Sequence, residues 1–125
     1  MNAVRERTVA VVDDDNRVLE SLKDLLESGG YIVRTFPSAR KFLASGTLFS
    51  IGCLISDIAM PDMNGLELET LAKRERPALP VILITAHDSA ERQEGTTRSG
   101  DRPRRLFRKP FNGLELLDAV RALLD

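Results

Sequence analysis

The sequence predicts an α/β protein built as a doubly wound, five-stranded parallel sheet with helices on both faces. Short β-branched apolar runs alternate with stretches of helical spacing along the chain, the signature of strands joined by crossover helices. Three of those runs, VAVV, CLIS and VILI, are almost wholly apolar, as strands covered on both faces should be. No internal repeat, low-complexity tract or linker divides the 125 residues. That length is enough for one domain, residues 1–125, with a sizeable core.

Thr8–Val12 reads as the first buried strand. Asp15 or Asn16 is placed to cap a helix over about Arg17–Ser28, with Val18, Leu22 and Leu25 on one stripe and Leu19 and Leu26 beside it. The pair Gly29–Gly30 ends that helix, because glycine supplies a left-handed turn at little steric cost. Tyr31–Phe36 is a second strand, and Ser38 caps a short helix to about Ser45. Cys53–Asp57 is the third strand, followed by the turn-rich MPDMNG and a helix over Leu66–Arg74. Val81–Thr85 is the fourth strand and Leu106–Phe107 a short fifth. A last helix, about Leu114–Leu124, puts Leu114, Leu117 and Val120 on one face.

Composition narrows the class of function. With 42% apolar and 30% charged residues, the chain is an ordinary globular protein. A formal net charge of −1 gives no global pull toward nucleic acid. Cys53 is the single cysteine, so no internal disulfide forms, which fits a reducing compartment. No apolar stretch approaches the ~20 residues needed to cross a bilayer, and MNAVRERT has no signal-peptide core. The expectation is a cytoplasmic soluble domain.

Doubly wound sheets bind ligands beyond the carboxyl ends of their strands. There the chain places Asp13 and Asp14 after strand one, Asp57 at the end of strand three, Thr85 at the end of strand four and Lys109 after strand five. Two unit charges ~4 Å apart repel by ~4 kcal/mol at an effective dielectric near 20, so clustered carboxylates call for a proton or a cation. Mg²⁺ is the natural partner, since it binds one or a few carboxylates plus waters and phosphate oxygens. With a lysine and a hydroxyl nearby, the set suits phosphoryl transfer, which rests on positioning and charge neutralisation. One carboxylate is then free to act as nucleophile and become an acyl phosphate.

The motifs VVDDD (11–15), LISDIAMPDMNG (54–65), ILITAH (82–87) and FRKPF (107–111) resemble, in order and spacing, the receiver domain of two-component response regulators. VDDD and TAH resemble the nitrogen-fixation and nodulation regulators in particular. The resemblance spans essentially the whole chain and implies the flavodoxin-like strand order 2-1-3-4-5. It makes Asp57 the phosphoacceptor, and Asp13 and Asp14 the acidic pair that positions Mg²⁺, one directly and one through water. The backbone carbonyl of Ala59 completes the protein ligands, Thr85 hydrogen-bonds the phosphoryl group, and Lys109 forms an ion pair with it. Pro110 would follow Lys109 through a cis peptide. Asp15 falls instead to the helix N-terminus, where the dipole favours negative charge. The implied partners are a sensor histidine kinase and a downstream effector or fused output domain, with the chain a monomer or a phosphorylation-dependent dimer. No DNA-binding domain follows Asp125, so the expectation is either a stand-alone regulator or an excised N-terminal domain. Self-catalysed transfer and slow hydrolysis are the expected chemistry, rather than turnover of a separate substrate.

Other residues have plainer readings. His87 is a polar loop residue, Cys53 a small core residue, and Asp62 and Glu67 solvated surface charges. RSGDRPRRLFRK (98–109) carries six basic residues against one acid but no interleaved aromatics. A solvated loop comes first, a docking or dimer surface second, and nucleic acid last. DSAERQEGTTRSG has almost no apolar face and is interrupted by Gly95, so the fourth helix is expected to be irregular, short or displaced. The stretch from Gly100 to Lys109, with Pro103, is longer than the family pattern. Leu106 stands where the family usually has Tyr or Phe, and Phe107 faces the other way. Two rivals follow: a receiver-fold binding module with degenerate switching, and an aspartyl-phosphate phosphatase. The second lacks a DxDxT-like arrangement and room for a cap.

Overall fold

The computed structural model describes residues 3–86, 105–109 and 111–124. Its elements are α1 (Ala3–Glu6), β1 (Thr8–Val12), α2 (Asn16–Ser28), β2 (Ile32–Phe36), α3 (Ala39–Ser45), a 3₁₀ turn (Thr47–Ser50), β3 (Cys53–Asp57), α4 (Gly65–Glu75), β4 (Val81–Ala86), β5 (Arg105–Lys109) and α5 (Gly113–Leu124). The five strands form one parallel sheet in the order β2-β1-β3-β4-β5, as expected. The short α1 and the 3₁₀ turn are additions that the apolar pattern does not signal.

Alternation along the strands sends side chains to two separate cores. On one face Val9, Val11, Cys53, Ile55, Ile82 and Ile84 pack with Leu19, Leu22 and Leu26 of α2 and Leu116, Leu117 and Val120 of α5. On the other, Ala10, Val12, Leu54 and Leu83 pack with Phe42 of α3 and Leu68 and Ala72 of α4. Burying one such side chain contributes roughly 1.5–3 kcal/mol, so the two layers fix which ends of the strands lie together. Leu106 joins the second layer and Phe107 the first, so the two do face opposite ways. Cys53 is buried in the first layer, as read.

Several expectations need correction. In α5 Leu114 is 71% exposed, and Leu116 takes the buried position instead. At ~3.6 residues per turn, positions 113, 116, 117 and 120 share the inward face, which leaves position 114 turned outward. The buried face of α2 is Leu19, Leu22 and Leu26, with Val18 and Leu25 only partly covered. The glycine pair ends α2 as expected, with Gly29 as the cap at a negative φ and Gly30 as the left-handed residue (φ 94). β5 is longer than the two residues expected and includes Lys109. His87, the irregular fourth helix with Gly95, Pro103, the basic stretch 98–104 and Pro110 lie outside the described residues.

Candidate functional site

The strand order makes β1 and β3 neighbours, while the chain reaches β2 between them on the other side. That reversal opens the switch-point crevice of a doubly wound sheet beyond the carboxyl ends of β1 and β3. β1 is buried at all five positions and stops at Asp13, whose N–H donates to the Phe36 carbonyl (3.1 Å). β3, likewise buried throughout, ends on Asp57. Asp13 is 1% exposed and Asp57 5%, so two carboxylates are desolvated side by side. Asp14 is exposed. One carboxylate oxygen from each of the three lies within 4.8 Å of the others.

Lys109, the last residue of β5, reaches across the sheet end. Its Nζ donates to Asp13 Oδ2 at 3.2 Å and lies 3.6 Å from Asp57 Oδ1. Asp13 Oδ1 also accepts the N–H of Asp15 at 2.9 Å. Burial, and then the Asp13 charge, push the Asp57 pKa up to about 6, against the pull of Lys109. Burial also raises Asp13, although the Asp15 N–H and Lys109 favour its charged form. Burial alone would depress Lys109, but the Asp13 and Asp57 charges outweigh it and raise its pKa.

One ammonium facing three carboxylates leaves the cluster negative. Its donors are all hard oxygens, and their spread is close to the ~4.2 Å that separates opposite ligands of an octahedral Mg²⁺. The residues present therefore fit such an ion. Ala59 is exposed two residues after Asp57. Thr85 is buried and lies one position beyond Ile84, the β4 partner of Asp57. The structure thus gathers Asp13, Asp14, Asp57 and Lys109, and brings the Thr85 and Ala59 backbones to the same sheet end. Asp15 caps α2, accepting the Arg17 N–H at 2.9 Å, with the Arg17 guanidinium on the same carboxylate.

The loop after Asp57 holds features that the sequence pattern did not announce. Ile58 donates its N–H to Ile84 (2.8 Å), and Gly65 donates to Ile58 (2.9 Å). Asn64 caps α4 reciprocally with Glu67, so Glu67 is a capping partner rather than a free surface charge. An N-x-x-E spacing was the available signal. Asp62 is exposed but paired with Arg40 of α3, and it adopts φ 75. No local pattern announces a partner 22 residues away.

The family model of the response regulator receiver domain matches residues 9–121. The chain belongs to this family. TodT of Pseudomonas putida, a response regulator protein, is 38% identical over 120 residues, covering 96% of this chain and 52% of its own. The transcriptional regulatory protein FixJ of Azorhizobium caulinodans is 36% identical, covering 93% of this chain and 54% of its own. This receiver chain spans about half the length of the curated relatives it matches. A solved receiver domain protein from Clostridium thermocellum superposes with a TM-score of 0.82 at 27% identity, over 94% of this chain and 93% of that one. Full-length FixJ from B. japonicum does so at 0.79 and 29%, over 93% of this chain and 56% of that one. The protein is thus a receiver domain of two-component signalling with the CheY-like fold. Among the described residues no helix is long and apolar enough to cross a membrane.

Proposed function

We propose that residues 1–125 form one receiver unit operated as a phosphorylation switch, with Asp57 as the phosphoacceptor. The observation that carries this reading is the convergence of Asp13, Asp14 and Asp57 within 4.8 Å, with the Lys109 ammonium against two of them. An Asp57 oxygen attacks the phosphorus of a phosphohistidine on a sensor histidine kinase. The P–N bond breaks, its electron pair leaves on the imidazole, and an O–P bond forms. Asp13, Asp14, Asp57 and the Ala59 carbonyl would hold Mg²⁺, which when bound offsets the negative charge of the phosphoryl oxygens. Lys109 shifts from Asp13 to the new phosphoryl group, and the Thr85 hydroxyl hydrogen-bonds it. The chain acts on itself and turns over no separate substrate.

The output is a downstream effector or a fused output domain. Relatives named transcriptional regulatory proteins support a transcriptional one, with any DNA contact made outside this chain. The chain acts in the cytoplasm, as a monomer or as a dimer that forms on phosphorylation. Intact-mass spectrometry after incubation with acetyl phosphate and Mg²⁺ tests the reading. Wild type should gain one phosphate mass, lost in excess chelator and in Asp57→Asn. An adduct that persists in Asp57→Asn, or forms equally without the metal, overturns it.

A further inference from the structure

We propose that Arg40 is a positioning residue for the cation site, acting through Asp62 to hold the acceptor loop in its metal-ready shape. The inference rests on the function proposed above and extends it to a residue outside the acidic cluster. The loop between Asp57 and α4 is fastened at both ends, by Ile58 to β4 and by Gly65 to Ile58. Its middle, residues 59–63, carries Ala59. There the Met63 N–H bonds back to Pro61 (2.9 Å) within the loop itself. Among the described residues, the polar side-chain tether from this middle to another element is the Arg40–Asp62 pair. The guanidinium Nε bonds Asp62 Oδ2, and Nη2 lies 3.4 Å from Oδ1.

Both ends of the tether are built to hold. Asp62 is the non-glycine residue with positive φ (75) among the described residues, and aspartate tolerates that conformation better than most because its short side chain is polar. Arg40 stands on a helix set by the Ser38 cap (3.1 Å to the Lys41 N–H). That helix is anchored by Phe42, which is buried and packs edge-on against Phe36 at 5.3 Å. A fixed base, a two-point ion pair and a turn held in a rarely used conformation together limit how residues 59–63 can sit beside Asp57. A pair this exposed, with side chains 67% and 58% accessible, matters through loop geometry rather than through stability.

Isothermal titration with Mg²⁺ alone reads this directly. Arg40→Ala should weaken Mg²⁺ binding about three- to fivefold, the scale of an exposed ion pair. Arg40→Lys should recover part of the loss. Asp62→Gly keeps the positive-φ turn but removes the carboxylate, and should match Arg40→Ala. The double variant should be no worse than either single one, as for residues acting through one contact. In acetyl phosphate assays the half-saturating Mg²⁺ should rise while the plateau rate holds. Unchanged Mg²⁺ affinity in Arg40→Ala and Asp62→Gly, with wild-type melting curves, would overturn the inference and leave the function standing. A wild type that binds no Mg²⁺ would overturn both.

Discussion

Asp57 combines two demands that conflict in one side chain: it is buried at the end of a strand, and the proposed role as nucleophile requires it to be ionised. Its pKa of about 6 stands above the ordinary 3.8 because of burial first and the Asp13 charge second. Between these values the folded chain holds a proton that the unfolded chain has released. Stability therefore falls as pH rises across that window, and the full deficit persists above it. At ~1.4 kcal/mol per pKa unit the deficit at neutral pH is on the order of 3 kcal/mol. In metal-free buffer, Asp57→Asn should melt several degrees higher than wild type near pH 7.5. That advantage should shrink steadily as pH is lowered toward 4. Asp13, raised by its own burial, titrates in both proteins, so the difference reads residue 57 together with its coupling to Asp13. A gap that is absent, or that stays constant with pH, would contradict this account.

The helix that follows Asp57 shows how an element sets a residue. α4 starts so close to β3 that a Cβ on Gly65 would meet the Asp57 carbonyl oxygen at 2.3 Å and the Ile58 Cα at 2.9 Å. Both are backbone atoms, which cannot swing aside as a flexible side chain can. Gly65→Ala should cost about 1–3 kcal/mol of stability and slow phosphorylation, because the acceptor backbone itself must move. Asn64→Ala is the control: it removes the α4 cap at ~1 kcal/mol but leaves Asp57 in place, so its phosphorylation rate should hold. Equal rates in the two variants would show that α4 does not position the acceptor. The same stretch marks what was legible from sequence. Strands such as Val81–Ala86 announce themselves as apolar runs, and Asp13, Asp57 and Lys109 lie at strand ends where the fold puts ligands. The Arg40–Asp62 pair, the partnering of Glu67 and the exposure of Leu114 were not legible. They depend on which surfaces meet across the fold, and periodicity carries no record of that.

At the scale of the whole molecule, the site closes the sheet end. The Lys109–Asp13 hydrogen bond (3.2 Å) joins residues 96 apart in sequence, tying the last strand to the first. Lys109→Met removes the ammonium and leaves two buried carboxylates facing each other with less compensation. The metal-free protein should then lose about 1–3 kcal/mol, since Lys109 is itself partly exposed and a fully buried pair would cost more. A ligand that binds only the folded state stabilises it by about 2.7 kcal/mol at a hundred times its Kd. Mg²⁺ should therefore raise the melting temperature of wild type, and raise that of Lys109→Met by at least as much, because a divalent ion supplies the positive charge the variant lacks. Asp13→Asn should respond little to Mg²⁺, whatever its melting temperature without metal. Thermal melts of the three proteins across a Mg²⁺ series separate the cases. If Lys109→Met lost the Mg²⁺ response while Asp13→Asn kept it, the ion would have to sit nearer Lys109 than Asp13, and the charge balance assigned to this sheet end would be wrong.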